Sequence, residues 1–435
     1  STDYTGGRAL TNLIGFRKEP AATNNLLQSR NLTVHNAGTI TTKRWQSVTP
    51  VGAEIVLNSS FDSGLTNWTT TIGSGGSISV AGGQCTFVSD GGTVTYMTNA
   101  AVLTVGSTYV LEIIATGTGS IKFVNGAQEI VGFGAGTNAI SFVATSAAFQ
   151  ISRFAGVACN LVFDSISVKL SSVQCAQTAT GLDGIADTAT TLTATATDAI
   201  ILQPITLSSA ARCASAYVKR RTGTGTISFT QDGGSSWTDI TSLINSSTYS
   251  RVQITSTLAN PSVGFKISTN GDAIDVDCVQ NEAGGVATSP IVTTTATVTR
   301  NAESLTYQTA SNWSDTAGTA YIEVEPYQWS VGGLIGSATN GLLESASDSG
   351  ATAYDGTNSA NGPTGTPSGR KKLAMRWGSG AMTVASGGSV GTPGTYDGGM
   401  GLASIGIAVN SSAYCNNVAI YTYAMTDAEL QEVTK

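Results

Sequence analysis

The residues that could do catalytic chemistry are few and widely separated. The chain contains a single histidine, His35. A Ser-His-Asp triad or a histidine-rich metal site would have to use it, and no nucleophile motif lies nearby. Glu323 and Glu325 form the best carboxylate pair for glycoside hydrolysis, because side chains at i and i+2 of a strand share a face about 7 Å apart. Pro326 ends that strand at once, so we interpret the pair as a solvated outer face and expect no enzymatic activity.

Three aspartates are candidate ligands for a structural calcium ion, which prefers hard oxygen donors. Asp62 lies in a turn-rich opening segment, and Asp164 and Asp277 each lie between apolar residues. A turn-forming or strand-end aspartate is the alternative interpretation at each position. No other cofactor is expected.

The six cysteines are far apart and contain no C-x-x-C pair. This spacing argues against zinc, iron–sulfur and thioredoxin-like chemistry. We expect small buried thiols, with pairing inside a module as the alternative.

Sugar binding requires an aromatic platform beside polar side chains that can bind hydroxyl groups. Trp237 follows a loop at residues 232–236, and Tyr327 and Trp329 follow a strand that ends at Pro326, so these three aromatic residues are the candidate sugar binders. Two other tryptophans lie in apolar contexts and are expected in cores: Trp68 and Trp377.

The composition favours short strands joined by tight turns. Only 11% of the 435 residues are charged, and the chain contains 51 glycines, which supply the turn conformations that other residues disfavour. The net charge of −7 and the lack of a basic face argue against nucleic-acid binding. The sequence has no apolar run long enough for a transmembrane helix, and no signal peptide is expected.

The first 50 residues differ from the rest because they hold more basic than acidic residues. We interpret residues 1–50 as an N-terminal segment that docks on another surface, with a solvated basic strand pair as the alternative. The candidate docking residues are Arg8, Arg17, Lys18 and Arg30.

Three β-modules are predicted after this segment, at residues 51–172, 173–305 and 306–435. Alternation of apolar and polar residues predicts half-buried strands, for example at 160–170, 318–326, 371–377, 381–385 and 417–423. Residues 426–432 predict a short C-terminal helix with a capping box. A loop-rich stretch is expected at 345–369. The fold class is therefore all-β, with tandem antiparallel sandwiches of jelly-roll type.

The second module repeats landmarks of the first in the same order. Residues 116–123 recur at 222–229, residues 149–152 recur at 265–268, and residues 163–166 are echoed at 276–279. Three matches in order indicate a duplicated sandwich, whereas one alone would be chance in a chain so rich in Thr and Gly.

Each of the three modules resembles a known protein family. The first resembles jelly-roll carbohydrate-binding modules, through Asn58, Phe61 and Trp68 at its opening and Asp164 near its end. The third is similar to concanavalin A-like or laminin-G-like lectin sandwiches, through residues 318–326, 373–377 and 419–430. The second resembles a domain of phage virion structural proteins, through these segments: residues 216–227, 269–272, 280–285, 287–291 and 298–300.

These resemblances imply a phage virion appendage, such as a tail fibre, tail spike or head fibre. Such a protein would dock through its N-terminus on other virion proteins and display its modules to a host cell-surface glycan. It would be made in the host cytoplasm, reside on the virion surface and form a homo-oligomer, in such fibres usually a trimer. A purely structural capsid or tail decoration protein and a secreted bacterial carbohydrate-binding protein are the alternatives.

Overall fold

The computed structural model describes residues 7–9, 16–19, 21–33, 38–41, 44–100, 103–326, 332–344, 350–365, 369–409 and 413–435. The chain divides into two compact units. One, called here the split unit, comprises Ser1–Ala22 and Thr299–Lys435; the other, the inserted unit, comprises Thr23–Val298. The predicted all-β class is confirmed, because nearly all regular structure consists of strands in antiparallel sheets.

The described part of residues 1–51 contains five short strands: β1 (Gly7–Ala9), β2 (Phe16–Lys18), β3 (Ala22–Asn24), β4 (Gly38–Thr39) and β5 (Pro50–Val51).

The first sandwich contains ten more strands: β6 (Trp68–Ile72), β7 (Ser77–Ala81), β8 (Gln84–Ser89), β9 (Thr95–Asn99), β10 (Thr108–Thr118), β11 (Ile121–Asn125), β12 (Gln128–Phe133), β13 (Gly136–Val143), β14 (Phe149–Arg153) and β15 (Cys159–Ser171). One sheet has the order β13-β10-β15-β8-β7, with β5 beside β15, and the other has the order β4-β12-β11-β14-β9-β6.

The core of this sandwich follows from the alternation in its strands. Cys85 and Phe87 on β8 and Phe123 on β11 are buried, whereas the residues between them are less so. Residues from both sheets belong to one apolar cluster, so the sheets pack face to face. The opening motif is part of this core, since Phe61 is fully buried and Trp68 donates its indole N–H to the Asn58 carbonyl.

The second sandwich contains nine strands and a short 3₁₀ helix, Thr241–Leu243. Its strands are β16 (Val173–Ala179), β17 (Ala189–Ala194), β18 (Ala199–Pro204), β19 (Ala210–Thr222), β20 (Ile227–Thr230), β21 (Thr238–Asp239), β22 (Ser250–Leu258), β23 (Ser262–Ile267) and β24 (Ala273–Ala283). The sheets have the orders β22-β19-β24-β17-β16 and β21-β20-β23-β18.

These orders match those of the first sandwich, except that β4, β5 and β6 have no counterpart in the second. β10 corresponds to β19, β11 to β20, β14 to β23 and β15 to β24, and the repeated sequence segments lie on or beside these pairs. The predicted duplication of architecture is therefore visible in the topology.

Residues 23–50 are integrated into the inserted unit. Leu26, Leu32 and Trp45 are fully buried in the core of the second sandwich. Gln46 exchanges backbone hydrogen bonds with Leu202 of that sandwich, and its side chain accepts the backbone N–H of Ser141 in the first. The first 50 residues are thus divided between the two units and do not form the separate segment that the charge pattern suggested.

The split unit contains the remaining elements: β25 (Val298–Arg300, which begins in the inserted unit), β26 (Leu305–Gln308), β27 (Ala317–Pro326), β28 (Gly332–Gly336), β29 (Gly341–Glu344), β30 (Ala351–Tyr354), β31 (Ser359–Asn361), β32 (Lys371–Gly378), β33 (Ala381–Ser386), β34 (Ser389–Val390), β35 (Gly394–Thr395), β36 (Ser404–Val409), β37 (Ala413–Tyr421) and α1 (Asp427–Thr434). One sheet has the order β1-β37-β27-β32-β33-β34, with β2 beside β37 and β35 beside β33. The other has the order β26-β36-β28-β29-β30-β31.

Two local predictions for this unit had different outcomes. The capping box is confirmed, since the Thr426 side chain accepts the Glu429 backbone N–H and the Glu429 carboxylate accepts the N–H of Thr426. The expected loop at 345–369 is wrong for its central part, where β30 and β31 continue the second sheet. No helix in the described ranges is long and apolar enough to span a membrane.

All six cysteines are buried, as the sequence analysis predicted. Five of them are free thiols: Cys85, Cys159, Cys175, Cys213 and Cys278. Burial raises the pKa of Cys85 and Cys175 to about 12, because the thiolate loses its hydration in the core. These side chains therefore act as small apolar residues.

Candidate functional site

The predicted docking residues lie in two different structural settings. Arg8, Arg17 and Lys18 occupy β1 and β2, which pair with β37 opposite Ile420, Tyr414 and Ala413 respectively. Arg30 lies in the inserted unit, where its side chain is only 18% exposed.

Arg30 is held by two carboxylates. Its Nε lies 2.8 Å from Oδ1 of Asp277 and one terminal nitrogen lies 2.6 Å from Oδ2 of Asp183. These hydrogen bonds, to Asp183 first and then to Asp277, raise the pKa of Arg30, and the same guanidinium lowers the pKa of Asp183. Arg30 therefore stabilises the inserted unit, and its interpretation as a displayed docking residue does not fit this geometry.

The same cluster corrects the assignment of Asp277 as a calcium ligand. Its side chain is fully buried, and its two oxygens accept hydrogen bonds from Arg30 and from the backbone N–H groups of Leu182 and Cys278. The guanidinium supplies the positive charge that a buried carboxylate requires. A metal ion at Asp277 would have to displace it.

Asp62 and Asp164 remain candidate calcium ligands. Both are exposed; Asp62 accepts the Ser60 hydroxyl at 2.6 Å, and Asp164 accepts the Gln84 amide at 3.3 Å. Within the described residues, no three acidic, histidine or cysteine side chains gather as a metal-binding group. Calcium binding by these two residues therefore stays a prediction.

The predicted aromatic site is described only in part. Tyr327, Trp329 and the single histidine, His35, lie outside the described residues. Trp237 is half-buried in the loop between β20 and β21, and the Lys266 ammonium lies 5.4 Å from its ring centroid. Trp68 and Trp377 are buried, as predicted.

The carboxylate pair considered for glycoside hydrolysis shares one arginine. The Arg370 guanidinium lies 3.6 Å from Glu323 and 3.4 Å from Glu325, and the Asn417 amide donates to Glu323 at 2.9 Å. Both carboxylates therefore lie on one side of β27, as their i and i+2 spacing predicted.

The structure reveals a further surface, on the outer side of the five-stranded sheet of the second sandwich. Ala216 and Val218 of β19 point into the core, so Tyr217, Lys219 and Arg221 point away from it. We call this surface the tyrosine face. Its members come from four strands and one loop: Thr191, Tyr217, Lys219, Arg221, Tyr249, Arg251 and Asp275.

Each tyrosine of this face lies against a cation. The Lys219 ammonium is 5.1 Å from the Tyr249 ring centroid, and the Arg251 guanidinium is 5.3 Å from that of Tyr217. Strand register explains the second contact, since Tyr217 is directly opposite Arg251 on β22. Such contacts fix the orientation of the rings.

Asp275 lies at the centre of the tyrosine face and is almost fully buried. It accepts Arg221 at 2.9 Å and Thr191 at 2.8 Å, and it lies 3.2 Å from the Lys219 ammonium. Arg221 and Lys219 keep 43% and 24% of their side chains exposed. The carboxylate therefore positions two accessible cations side by side.

Tyr249 is anchored at the edge of the face. Its hydroxyl donates to the Thr180 carbonyl at 3.0 Å. Burial raises its pKa, and the nearby charges of Asp275 and Asp277 raise it further, so the hydroxyl stays a donor at neutral pH.

Two clefts are further concave sites of the inserted unit. One of about 530 Å³ is lined by Asn25, Leu27 and Gln203 among others, and one of about 250 Å³ by Ile40, Val48 and their neighbours. No aromatic or charged side chain lines either cleft within the described residues, so neither offers the ring surface that a sugar stacks on.

Sequence reasoning missed the tyrosine face, although it singled out residues 216–227. The alternation Tyr217-Val-Lys-Arg-Arg221 is a usable signal for an outward polar row on one strand. The partners Tyr249, Arg251 and Asp275 become neighbours only through strand pairing, which the sequence does not specify.

No family model and no curated protein matches the sequence. Among solved structures, the N-terminal CBM22-1–CBM22-2 tandem domain of Xyn10C from Paenibacillus barcinonensis is similar at 8% sequence identity and a TM-score of 0.22. The alignment covers 55% of this chain and 100% of that chain. The strand order and the cores of the described residues define a tandem antiparallel β-sandwich protein.

Proposed function

We propose that this chain is a non-catalytic glycan-binding protein whose tyrosine face is a sugar-binding surface. The observation that carries the proposal is the placement of two half-buried tyrosine rings beside accessible hydrogen-bonding groups on one side of a rigid sheet. Pyranose rings stack their C–H faces on aromatic rings, while charged and hydroxyl side chains bind the sugar hydroxyl groups. Rigid strands lower the entropic cost of presenting these groups.

The wider role that we propose is that of a phage virion appendage engaged in host attachment. This part rests on the resemblance of residues 216–227 and 287–291 to phage structural proteins. In this role Arg8, Arg17 and Lys18 would contribute to docking on other virion proteins. A homo-oligomer such as a trimer would then combine weak sites into avidity.

Absence of catalysis is also part of the proposal. Glu323 and Glu325 both lie within ion-pair distance of the Arg370 guanidinium, and Glu323 also accepts the Asn417 amide. In a hydrolase of this type the two carboxyl groups flank the scissile bond, whereas here neighbouring side chains engage both of them. We therefore expect binding without turnover.

Glycan-array and host-cell binding of the full chain at its native oligomeric state, with and without calcium, tests the proposal. Tyr249→Ala should weaken binding about tenfold or more, the effect expected on losing one stacking ring and its anchor. Tyr354→Ala is the matched control, because Tyr354 is also half-buried and also donates its hydroxyl to a backbone carbonyl, that of Gly356 at 2.9 Å, but in the split unit.

Equal binding by the two variants would remove the tyrosine face from the proposal. If the wild-type chain binds no glycan and no host cell, the structural decoration protein becomes the better interpretation. Calcium-dependent binding would point to Asp62 and Asp164.

A further inference from the structure

The tyrosine face carries more positive than negative charge. Asp275 is shared by Lys219 and Arg221, so one carboxylate faces two cations. Arg251 adds a third cation; it donates to the Ser215 hydroxyl and the Thr288 carbonyl, and its buried Nε has no hydrogen-bond partner in the described residues.

The carboxylates adjacent to the face are buried or already paired. Arg30, at the edge of the same sheet, is bound by Asp183 and Asp277. Glu282 is linked to Arg251 through Thr288: it is fully buried and accepts the backbone N–H and hydroxyl of Thr288, whose carbonyl accepts Arg251.

The charged groups in and beside the face are four cations and four carboxylates, but the accessible charges at the centre of the face are positive, since Arg221 and Lys219 keep 43% and 24% of their side chains exposed and Asp275 only 4%. A positive surface in an acidic chain favours a negatively charged ligand, since rim charges steer and select ligands by sign.

We propose that the ligand of the tyrosine face is an acidic glycan, one that bears carboxylate or sulfate groups. This inference rests on the proposed glycan-binding function and names its ligand class. Arg221 is the group that would receive the acidic substituent, because its guanidinium uses one terminal nitrogen for Thr191 and Asp275 and remains 43% exposed. A guanidinium binds a carboxylate or sulfate with two parallel hydrogen bonds.

Lys219 has a second role in this arrangement. Its ammonium lies both near Asp275 and over the Tyr249 ring, so it connects the cationic and aromatic parts of the face. A sugar ring stacked on the free part of Tyr249 would hold its acidic substituent near Lys219 and Arg221. The geometry therefore selects a polymer with charges on or beside the stacked ring.

Matched pairs of probes test the charge requirement on the full chain. Oligogalacturonate is compared with its carboxyl-reduced neutral counterpart, and dextran sulfate with dextran, by calorimetry at two salt concentrations. We expect the acidic member of at least one pair to bind about tenfold or more tightly, with affinity falling as salt rises. Comparison of the two pairs distinguishes carboxylate from sulfate.

Three variants assign the effect to the tyrosine face. Lys219→Gln and Arg221→Gln should each weaken binding of the acidic probe about tenfold, whereas Asp275→Asn should strengthen it severalfold by removing the competing carboxylate. Lys122→Gln is the matched control, since it removes the same charge from the Lys122–Glu129 ion pair of the first sandwich. Circular dichroism confirms that each variant is folded.

The outcomes separate the two proposals. Equal binding of neutral and acidic probes that Tyr249→Ala still weakens would overturn the charge inference and leave glycan binding intact. Loss of affinity in Lys122→Gln as large as in Arg221→Gln would mean non-specific attraction of a polyanion and would also overturn it. Binding of no glycan at all would overturn both proposals.

Discussion

Arg30 connects three separate parts of the inserted unit through the hydrogen bonds of its guanidinium, two of which go to Asp277. It lies near the start of the chain, Asp183 lies in the loop after β16, and Asp277 lies on β24. Its guanidinium also donates to Thr188 at 2.9 Å. The fully buried Asp277 makes this cluster sensitive to loss of the cation, because a buried carboxylate without a partner is strongly destabilising.

The Arg30–Asp183 ion pair makes the stability of the folded protein depend on pH. The pKa of Asp183 is lowered in the folded protein, mainly by Arg30, whereas an unfolded aspartate has a pKa of about 3.9. A lowered folded-state pKa gives stability that is present above about pH 4 and is lost as the pH falls below it. Asp183→Asn should therefore flatten the decline of the urea midpoint below about pH 4.

Asp187→Asn is the control for this prediction. Asp187 lies in the same loop, has a left-handed backbone that asparagine also adopts, and makes no ion pair with the described residues. If its acid profile changes as much as that of Asp183→Asn, the ion pair with Arg30 is not the cause.

At the residue scale, sequence reasoning assigned Asp277 to a calcium site, whereas its partner in the structure is Arg30. An aspartate between apolar strand residues needs a compensating positive charge, and this much is local information. The charge comes from Arg30, which is 247 positions away in the chain, and no spacing pattern encodes that contact. Asp275 was missed for the same reason, since its partners lie on β17 and β19.

The β10–β11 hairpin and its counterpart β19–β20 are the elements that the two sandwiches share most clearly in sequence. In the first sandwich Gly117 and Gly119 have φ values of +115° and +79°. A Cβ atom at Gly119 would overlap the Ala158 carbonyl and the Cys159 backbone, and one at Gly117 would overlap the Asn160 carbonyl. The two glycines of the Thr-Gly-Thr-Gly motif are therefore required, because this hairpin packs closely against the start of β15.

Gly119→Ala tests this requirement against a matched position. Gly156 has a similar φ of +76° but open space around it, so Gly156→Ala should cost about 1 kcal/mol of unfolding free energy from backbone strain alone. Gly119→Ala should cost about 2–4 kcal/mol, because the overlap adds to the strain. Urea denaturation of both variants measures the difference, and equal costs would contradict the packing argument.

Elements with strong local signals were the ones that sequence predicted well. The α1 helix was found because Thr426 and Glu429 form its capping box within a single turn. Strands β30 and β31 were missed because each is short and lies among Gly, Asn and Pro residues, where alternation is too brief to recognise. The tyrosine face depends on pairing of β19 with β22 and β24, which is non-local.

At the scale of the whole molecule, the inserted unit should fold without the rest of the chain. Its residues are contiguous, and its two sandwiches have their own cores. We expect a fragment of residues 23–298 to unfold cooperatively, as followed by circular dichroism during heating. Non-cooperative melting of this fragment would contradict the division into two units.

A fragment of residues 51–298 tests the alternative, in which the folded modules begin only after residue 50. It lacks Leu26, Leu32 and Trp45, which are fully buried. Removing a buried leucine costs about 2–5 kcal/mol and a tryptophan about 3–5, so the loss of all three is comparable with the entire stability of a typical domain, about 5–15 kcal/mol. The shorter fragment should therefore not form a stable native state.

The pairing of β1 and β2 with β37 fixes the order in which the protein can be completed during translation. Arg8 is paired opposite Ile420, so the first strands leave the ribosome long before their partner exists. At about 5–20 residues per second, they wait for tens of seconds. In that interval the inserted unit can fold, and the sheet of the split unit closes only when the last strand emerges. If translation stops early, the released chain contains a folded inserted unit and a sheet in the split unit with an unpaired edge. Such an edge can form hydrogen bonds with other chains.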